Sequence, residues 1–558
     1  MKKSLPIGIS DFKEMIDNNY YYVDKTLFIK EIIDSGAKVN LLPRPRRFGK
    51  TLNLSMLKYY FEKSPEAKAD LFEGLAIREE TGHYQSEYGK YPVIFLTFKD
   101  CKVDHWQGTL QSIKKIVKEE YERHKYLMES DVLASYEKET YQDILTMKAD
   151  DLFYTSGLKD LSNYLYRYYG EKVIILIDEY DAPIQSGYLN GFYYKIINFM
   201  CNFLRGGLKD NITLKKGILS GILRIAKESI FSGLNNLSVY NILNSKYNKY
   251  FGLLEDETYS LLNYYGYQEK LAEVTEWYNG YNFGGNTVYN PWSIIKYIES
   301  GCTPEPHWVN TSGNELVRSV IIGAESGVKK DLEKLINLNS VEKQVYQHIT
   351  FGEIEENSSS IFSFLLFSGY LKVNSTRREA GRIYCELMIP NNEVKYIYEE
   401  IILKWLSLNI GDDKLDMMLE ALTCGDIETF ELIFQEFILN SMSYFDTGGD
   451  NSEKIYHAFV LGLLVYLNQD YQIKSNRESG YGRYDVMLIP RDKSKSGVII
   501  EFKKVNQRNN ETLEDGVEKA LKQIEDKQYR QELLDCGVRE VIELGIAFLN
   551  KEVIVKKR

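Results

Sequence analysis

Along residues 5–230 short uninterrupted apolar runs alternate with stretches in which apolar residues recur every three or four positions. That alternation points to a parallel sheet with crossover helices, because strands buried on both faces carry no polar side. It predicts strands at 39–42, 93–98, 173–177 and 216–220, with helices over 52–62, 110–125 and 157–169. From about 235 to 445 the strand signal fades, and helical spacing dominates at 256–265, 315–322, 361–371 and 394–408. Beyond 450 a further unit opens with a predicted helix at 454–467. Strands near 471–474, 485–489 and 498–502 follow, then a helix over about 514–534 and a last strand at 542–549. The expected organisation is an α/β domain at 1–232, a helical middle at 233–445 and a smaller α/β domain at 446–558. No internal repeat of solenoid period interrupts it.

Composition narrows the class. A chain of 558 residues exceeds what one core accommodates, and 44% hydrophobic with 27% charged residues is a globular balance. The six cysteines are widely spaced and form no CxxC pair, which argues against a disulfide framework and against zinc, and suits a reducing cytoplasm. The two lysines at positions 2 and 3 are followed by no apolar stretch, and no window holds 18 uninterrupted apolar residues, so neither secretion nor membrane spanning is expected. A net charge of -11 repels nucleic acid overall, so any such contact requires a locally basic face.

Candidate chemistry begins where the first predicted strand meets a helix, in KVNLLPRPRRFGKTLNLSML. Backbone amides of Arg47, Phe48 and Gly49 at a helix N-terminus suit phosphates, Lys50 suits the β and γ phosphates, and the Thr51 hydroxyl suits magnesium. Arg44 stands where the first glycine of GxxxxGK[ST] is usual. Arg44, Arg46 and Arg47 either add charge toward phosphate or face solvent. In KVIILIDEYDAP five apolar residues run into Asp178 and Glu179. Asp178 is the candidate magnesium ligand and Glu179 the candidate activator of water, as ATP hydrolysis requires. The fourth strand delivers Ser220 to the same edge, with Arg224 just beyond as a candidate cation for the transferring phosphate. Taken alone, a charged strand end and a solvated helix face remain alternative readings of these residues.

These segments, together with LPIGISDFKEMI, YYVDKT, GILRIAKESIFSGLNNL and WYNGYNFGGNTVYNPWSI, resemble the bacterial and archaeal AAA-ATPase-like family that carries a C-terminal PD-(D/E)XK nuclease-like domain. The resemblance covers nearly the whole chain. It implies an AAA-like P-loop NTPase sheet, a helical lid and a restriction-endonuclease-like end, with ATP and Mg2+ as cofactors. YYVDKT reads either as a turn capped by Asp24 or as a lysine brought near base or phosphates. Gly280, Gly284 and Gly285 read as a turn between helices or as a second phosphate cradle.

In the last domain Asp485 opens one predicted strand, and Glu501 and Lys503 share a face of the next, two residues apart. Two carboxylates around a divalent ion and a lysine that polarises water are the parts of metal-assisted phosphodiester cleavage. The resemblance adds Glu453, on the preceding helix, as a metal-site neighbour, and Gln523 as a helix glutamine. His457, one helical turn beyond Glu453, reads more readily as a packing residue. Between 471 and 510 nine basic residues face four acidic ones, a local excess suited to the backbone of DNA or RNA. The expectation is an ATP-binding protein, an ATPase coupled to a Mg2+-dependent nuclease. The alternative is a nucleotide-gated binding or signalling module with an inactive nuclease-like domain. Oligomeric state is not legible.

Overall fold

In the computed structural model the described residues are 2–63, 70–223, 236–308, 314–322, 324, 326–347, 349, 351–442, 460, 462–463, 465–479, 482–505, 511–549 and 551–558. They divide into two compact units, Met1–Ser312 with Ser340–Val394, and Gly313–Asn339 with Lys395–Arg558. No helix among the described residues is long and apolar enough to cross a membrane.

The first unit is built on a five-stranded sheet, all parallel, in the order β2-β3-β4-β1-β5. Its strands are β1 (Val39–Pro43), β2 (Val93–Thr97), β3 (Val173–Asp178), β4 (Leu214–Gly221) and the short β5 (Leu237–Val239). Every residue of β1 and β3 is buried, as strands covered by helices on both faces must be. Helix α1 (Leu27–Asp34) precedes β1 and α2 (Lys50–Phe61) follows it. Helices α3 (Trp106–Arg123), α4 (Asp151–Tyr169) and α5 (Tyr193–Leu208) make the later crossovers. The order puts β4 between the strand that feeds the glycine–lysine turn and the strand that ends in Asp178, so three C-terminal strand ends converge on one edge.

The middle of the chain is largely helical and also holds two small antiparallel sheets that the hydrophobic pattern does not reveal. One joins β6 (Leu253–Leu254), β7 (Tyr281–Phe283) and β8 (Asn286–Tyr289). Helix α6 (Pro291–Glu299) follows, capped by Asn290. The other sheet joins β9 (Val341–Gln344), β10 (Lys372–Glu379) and β11 (Arg382–Met388). Gly284 and Gly285, both at positive φ, close the β7–β8 hairpin, so their turn lies between strands and not between helices. Gly280, also at positive φ, runs so close to the Pro390 carbonyl that a Cβ would stand 2.1 Å from it.

The second unit contains a mixed sheet in the order β12-β13-β14-β15-β16. Helix α7 (Ser326–Ile336) belongs to this unit and precedes it in the chain. The strands are β12 (Tyr471–Ser479), β13 (Gly482–Pro490), β14 (Gly497–Lys504), β15 (Val541–Leu549) and β16 (Glu552–Lys557). Only β14 and β15 pair in parallel, and α8 (Leu513–Asp526) with α9 (Arg530–Asp535) makes that crossover. The one helix expected over 514–534 is therefore two, broken at Gln528, whose φ of 55° no helix accommodates. Tyr484, Met487, Ile489, Ile499, Ile524, Tyr529 and Leu533 form the core under these helices.

Candidate functional sites

At the first site, β1 leaves the sheet through residues 44–49 and re-enters regular structure as α2. Arg47 (φ 69°) and Gly49 (φ 80°) take the left-handed conformations that turn the chain into the helix. Lys50 is buried, and its Nζ donates to the Pro45 carbonyl at 2.9 Å. Burial lowers its pKa, against the pull of Glu179, Asp178 and Asp181. Thr51 Oγ1 donates to Asp178 Oδ2 at 2.6 Å, joining α2 to the end of β3. Burial raises the Asp178 pKa. Its Oδ1 and Ser220 Oγ on the adjacent β4 are both buried, and the Ser220 hydroxyl lowers the Asp178 pKa against burial, so each group has at most the other as a partner. A lysine satisfied only by its own loop beside a buried carboxylate and hydroxyl suits an anion with its cation. Glu179, half-buried at φ 48°, follows directly.

Three arginines of the loop separate cleanly. Arg44 is fully buried and neither meets solvent nor offers charge to a ligand. It donates to the carbonyls of Pro43 (2.8 Å) and Tyr240 (2.5 Å) and to Asn248 Oδ1 (3.2 Å). Its guanidinium lies 4.7 Å from the ring centre of Phe251 and 5.9 Å from that of Phe283. Desolvation lowers its pKa to about 9. Arg46 donates to Gln185 at 3.3 Å, and Arg47 stacks 3.8 Å from the ring centre of Trp292. The Phe48 ring packs on Tyr281 and Phe283, leaving its backbone amide as the group that can face a ligand. Thus WYNGYNFGG and PW supply the wall that holds the loop. Arg44→Ala leaves two carbonyls and an amide oxygen without donors and opens a gap between two rings. It is expected to cost about 3 kcal/mol, read as a lower unfolding temperature of the first unit; an unchanged temperature would contradict this account.

The motif YYVDKT forms a turn closed by Asp24, and the helix after it starts at Leu27 with Thr26 as its N-cap and no side-chain cap. Asp24 accepts from Thr26 N, Thr26 Oγ1 and Ala76 N, while Lys25 Nζ binds Glu257 and the Lys249 carbonyl, away from the loop. Arg224 lies outside the described residues. Sequence reasoning overlooked Tyr180 and Asp181. Tyr180 donates to the Leu223 carbonyl at 2.5 Å, and Asp181 Oδ2 accepts from Ile222 N and Leu223 N, so DEYD anchors the chain leaving β4. Lys102, exposed after β2, was also overlooked. Its pKa is lowered chiefly by desolvation and by Arg46, with Glu179 opposing.

At the second site, β13 and β14 pair Val486 with Ile500. One residue further along that register, Asp485 stands opposite Glu501, and directly opposed residues share a face. Asp485 Oδ2 accepts from Phe502 N at 2.8 Å, which ties the carboxylate to the neighbouring strand. Glu501 is buried; its Oε1 accepts from Lys503 Nζ at 2.8 Å and from Gln523 Nε2, and its Oε2 has no partner. Gln523 Oε1 in turn accepts from Lys503 at 2.7 Å. Burial and the neighbouring Asp485 push the Glu501 pKa up to about 7. Glu453 and His457 lie outside the described residues. Among the described residues no three His, Cys, Asp or Glu side chains cluster. The basic excess is largely committed: Lys474 binds Glu532, Lys495 binds Asp470, and Arg491 and Lys493 bind backbone carbonyls.

The raised Glu501 pKa has a defined sign. The folded state holds the proton more tightly than the unfolded chain, so its contribution is complete below about 4.5 and is lost as pH rises through about 7. In EDTA, Glu501→Gln is expected to gain about 2 kcal/mol on the wild type at pH 8 and little at pH 5, measured as unfolding of the second unit at both pH values. An equal difference at the two pH values would contradict this.

Comparison with known proteins places two matches on these two sites. Residues 6–231 match the family described as predicted AAA-ATPase, and residues 451–558 match the PD-(D/E)XK nuclease superfamily. An uncharacterized protein in the vnfD 5' region of Azotobacter chroococcum mcd 1 is 25% identical over 408 residues, which is 73% of this chain and 71% of that one.

Proposed function

We propose, from the premise that an AAA-ATPase-like segment and a PD-(D/E)XK nuclease-like segment share this chain, that the protein is an ATPase coupled to a Mg2+-dependent nuclease. The observation that carries the first half is the Thr51–Asp178 hydrogen bond beside the buried Lys50. Lys50 neutralises the β and γ phosphates, the amides of Arg47, Phe48 and Gly49 hold their oxygens, and Thr51 with Asp178 holds the magnesium. Glu179 orients and deprotonates the attacking water, Ser220 contacts the γ phosphate, and Arg224 faces the charge that develops there. Bound magnesium supplies charge neutralisation between the phosphates.

At the second site Asp485 and Glu501 would hold a divalent cation, with Glu453 as the further ligand the resemblance assigns, and Lys503 would steer the water that attacks the phosphodiester. Gln523 positions Glu501 and Lys503 together. A divalent ion there supplies Lewis acidity at the phosphorus-bound oxygens. Glu501 Oε2 and the mutual repulsion of the two carboxylates are the features that fit such an ion. Arg44, which replaces the usual first glycine of the loop, serves as a buried brace for it. The same reading keeps 1–232, 233–445 and 446–558 as its domains and the cytoplasm as its location. The test is a paired assay of the full chain: ATP turnover, and Mg2+-dependent cleavage of mixed DNA and RNA. A purified, folded protein that does neither ends the proposal.

A further inference from the structure

The two edges of the mixed sheet in the second unit are finished differently. On the β16 edge, Gln435 and Glu431 accept from the amides of Val553 and Val555, both at 2.8 Å, so a neighbouring helix covers the strand. The β12 edge instead borders a cleft of about 490 Å³. Its lining includes Gln472 and Ser475 of β12 and four lysines, Lys330, Lys334, Lys395 and Lys474, against a single acidic residue, Glu333. The lining thus presents several ammonium groups to one face of the cleft, although the acids paired with three of them leave the neighbourhood without a large net charge.

The cleft lies next to the acid pair. Ser475 pairs with Val486, the residue after Asp485, and Lys474 pairs with Met487. Met487 and Asp485 share a face of β13, so Lys474 stands on the same face as Asp485, one strand across and two residues along, on the order of 8 Å away. Three of the lysines are held in place by acids that do not line the cleft: Lys334 by Asp331 (3.1 Å), Lys395 by Glu399 (3.6 Å) and Lys474 by Glu532 (2.6 Å). Lys330 is exposed and has no ion-pair partner among the described residues.

We infer that this cleft is a backbone-phosphate subsite for nucleic acid, holding the phosphates next to the one positioned between Asp485 and Glu501. The inference rests on the nuclease reading above and adds where the rest of the substrate runs. Proximity to the carboxylate pair on the same sheet face favours a phosphodiester chain over an acidic peptide, which would gain nothing from that neighbour.

The experiment measures binding of fluorescein-labelled 20-nucleotide DNA and RNA to the full chain in EDTA, by anisotropy over a range of salt. Unlabelled poly-glutamate serves as the peptide comparison. Lys330→Glu with Lys334→Glu is expected to weaken binding about tenfold and to reduce the slope of log affinity against log salt by about 1.5; Lys330→Arg with Lys334→Arg is expected to keep both. If the charge reversal unfolds the protein, Lys330→Gln with Lys334→Gln carries the same comparison. Wild-type affinity and slope in the reversed variant overturn the subsite and leave the nuclease reading standing. A wild type that binds neither oligonucleotide overturns both, and one that binds poly-glutamate in their place overturns the subsite in favour of a peptide site.

Discussion

Lys50→Ala is expected to lower ATP turnover by about 10²–10³-fold, about 3–4 kcal/mol of lost transition-state stabilisation, and to weaken nucleotide affinity. The side chain is buried and its pKa is pulled down by desolvation, so in the nucleotide-free protein the cation sits where it is poorly solvated. On the proposed reading, the counter-charge of a triphosphate offsets that desolvation, and this gain is part of its binding energy. The alanine variant loses that gain without losing the fold. Its unfolding temperature is therefore expected to match the wild type, because it gives up one hydrogen bond to Pro45 and a desolvated charge together. Nucleotide titration and thermal unfolding of the same preparation check both halves. Unaltered affinity would remove Lys50 from the phosphate site.

Asp485→Asn is expected to abolish Mg2+-dependent cleavage, by at least about 10³-fold. Asparagine keeps an oxygen for the Phe502 amide, so the strand contact that orients residue 485 survives and only the charge is lost. Loss of that charge also removes one of the two forces that raise the Glu501 pKa, so the Glu501 titration is expected to move down from about 7. Cleavage assays report the first effect, and NMR titration of Glu501 in EDTA reports the second. ATP turnover offers an internal comparison, since Asp485 belongs to a unit separate from Lys50. Cleavage that persists in Asp485→Asn would exclude the proposed second site.

The loop at 44–51 is braced by residues of the middle segment: Phe48 and Arg44 pack on the β7–β8 hairpin, and Arg47 on Trp292 of α6. A change in loop conformation on nucleotide binding would therefore act first on that hairpin and helix, within the same unit.

What the sequence by itself determines here is the set of elements with a single physical solution. Strands β1 to β4 are readable because burial on both faces demands apolar runs, and the candidate residues Gly49, Lys50, Thr51, Asp178, Asp485, Glu501 and Lys503 stand out because their chemistry needs those types at a strand-to-helix turn, at a strand end or facing one another on neighbouring strands. The tertiary structure decides whatever depends on partners distant in the chain. Arg44 carries a charge that composition assigns to solvent or phosphate, yet Phe251, Asn248 and Phe283, some 200 residues away, enclose it. The β9–β11 sheet escapes notice because β10, KVNSTRRE, is exposed along most of its length and shows no apolar alternation. Asp181 looks like an ordinary polar residue until folding brings the 222–223 amides to it, and the contacts of Gln523 with Glu501 and Lys503 are set only when its helix packs on the sheet. Local pattern encodes burial and turn geometry, whereas a polar side chain's partner is set by which strands become neighbours, and that is a property of the whole sheet.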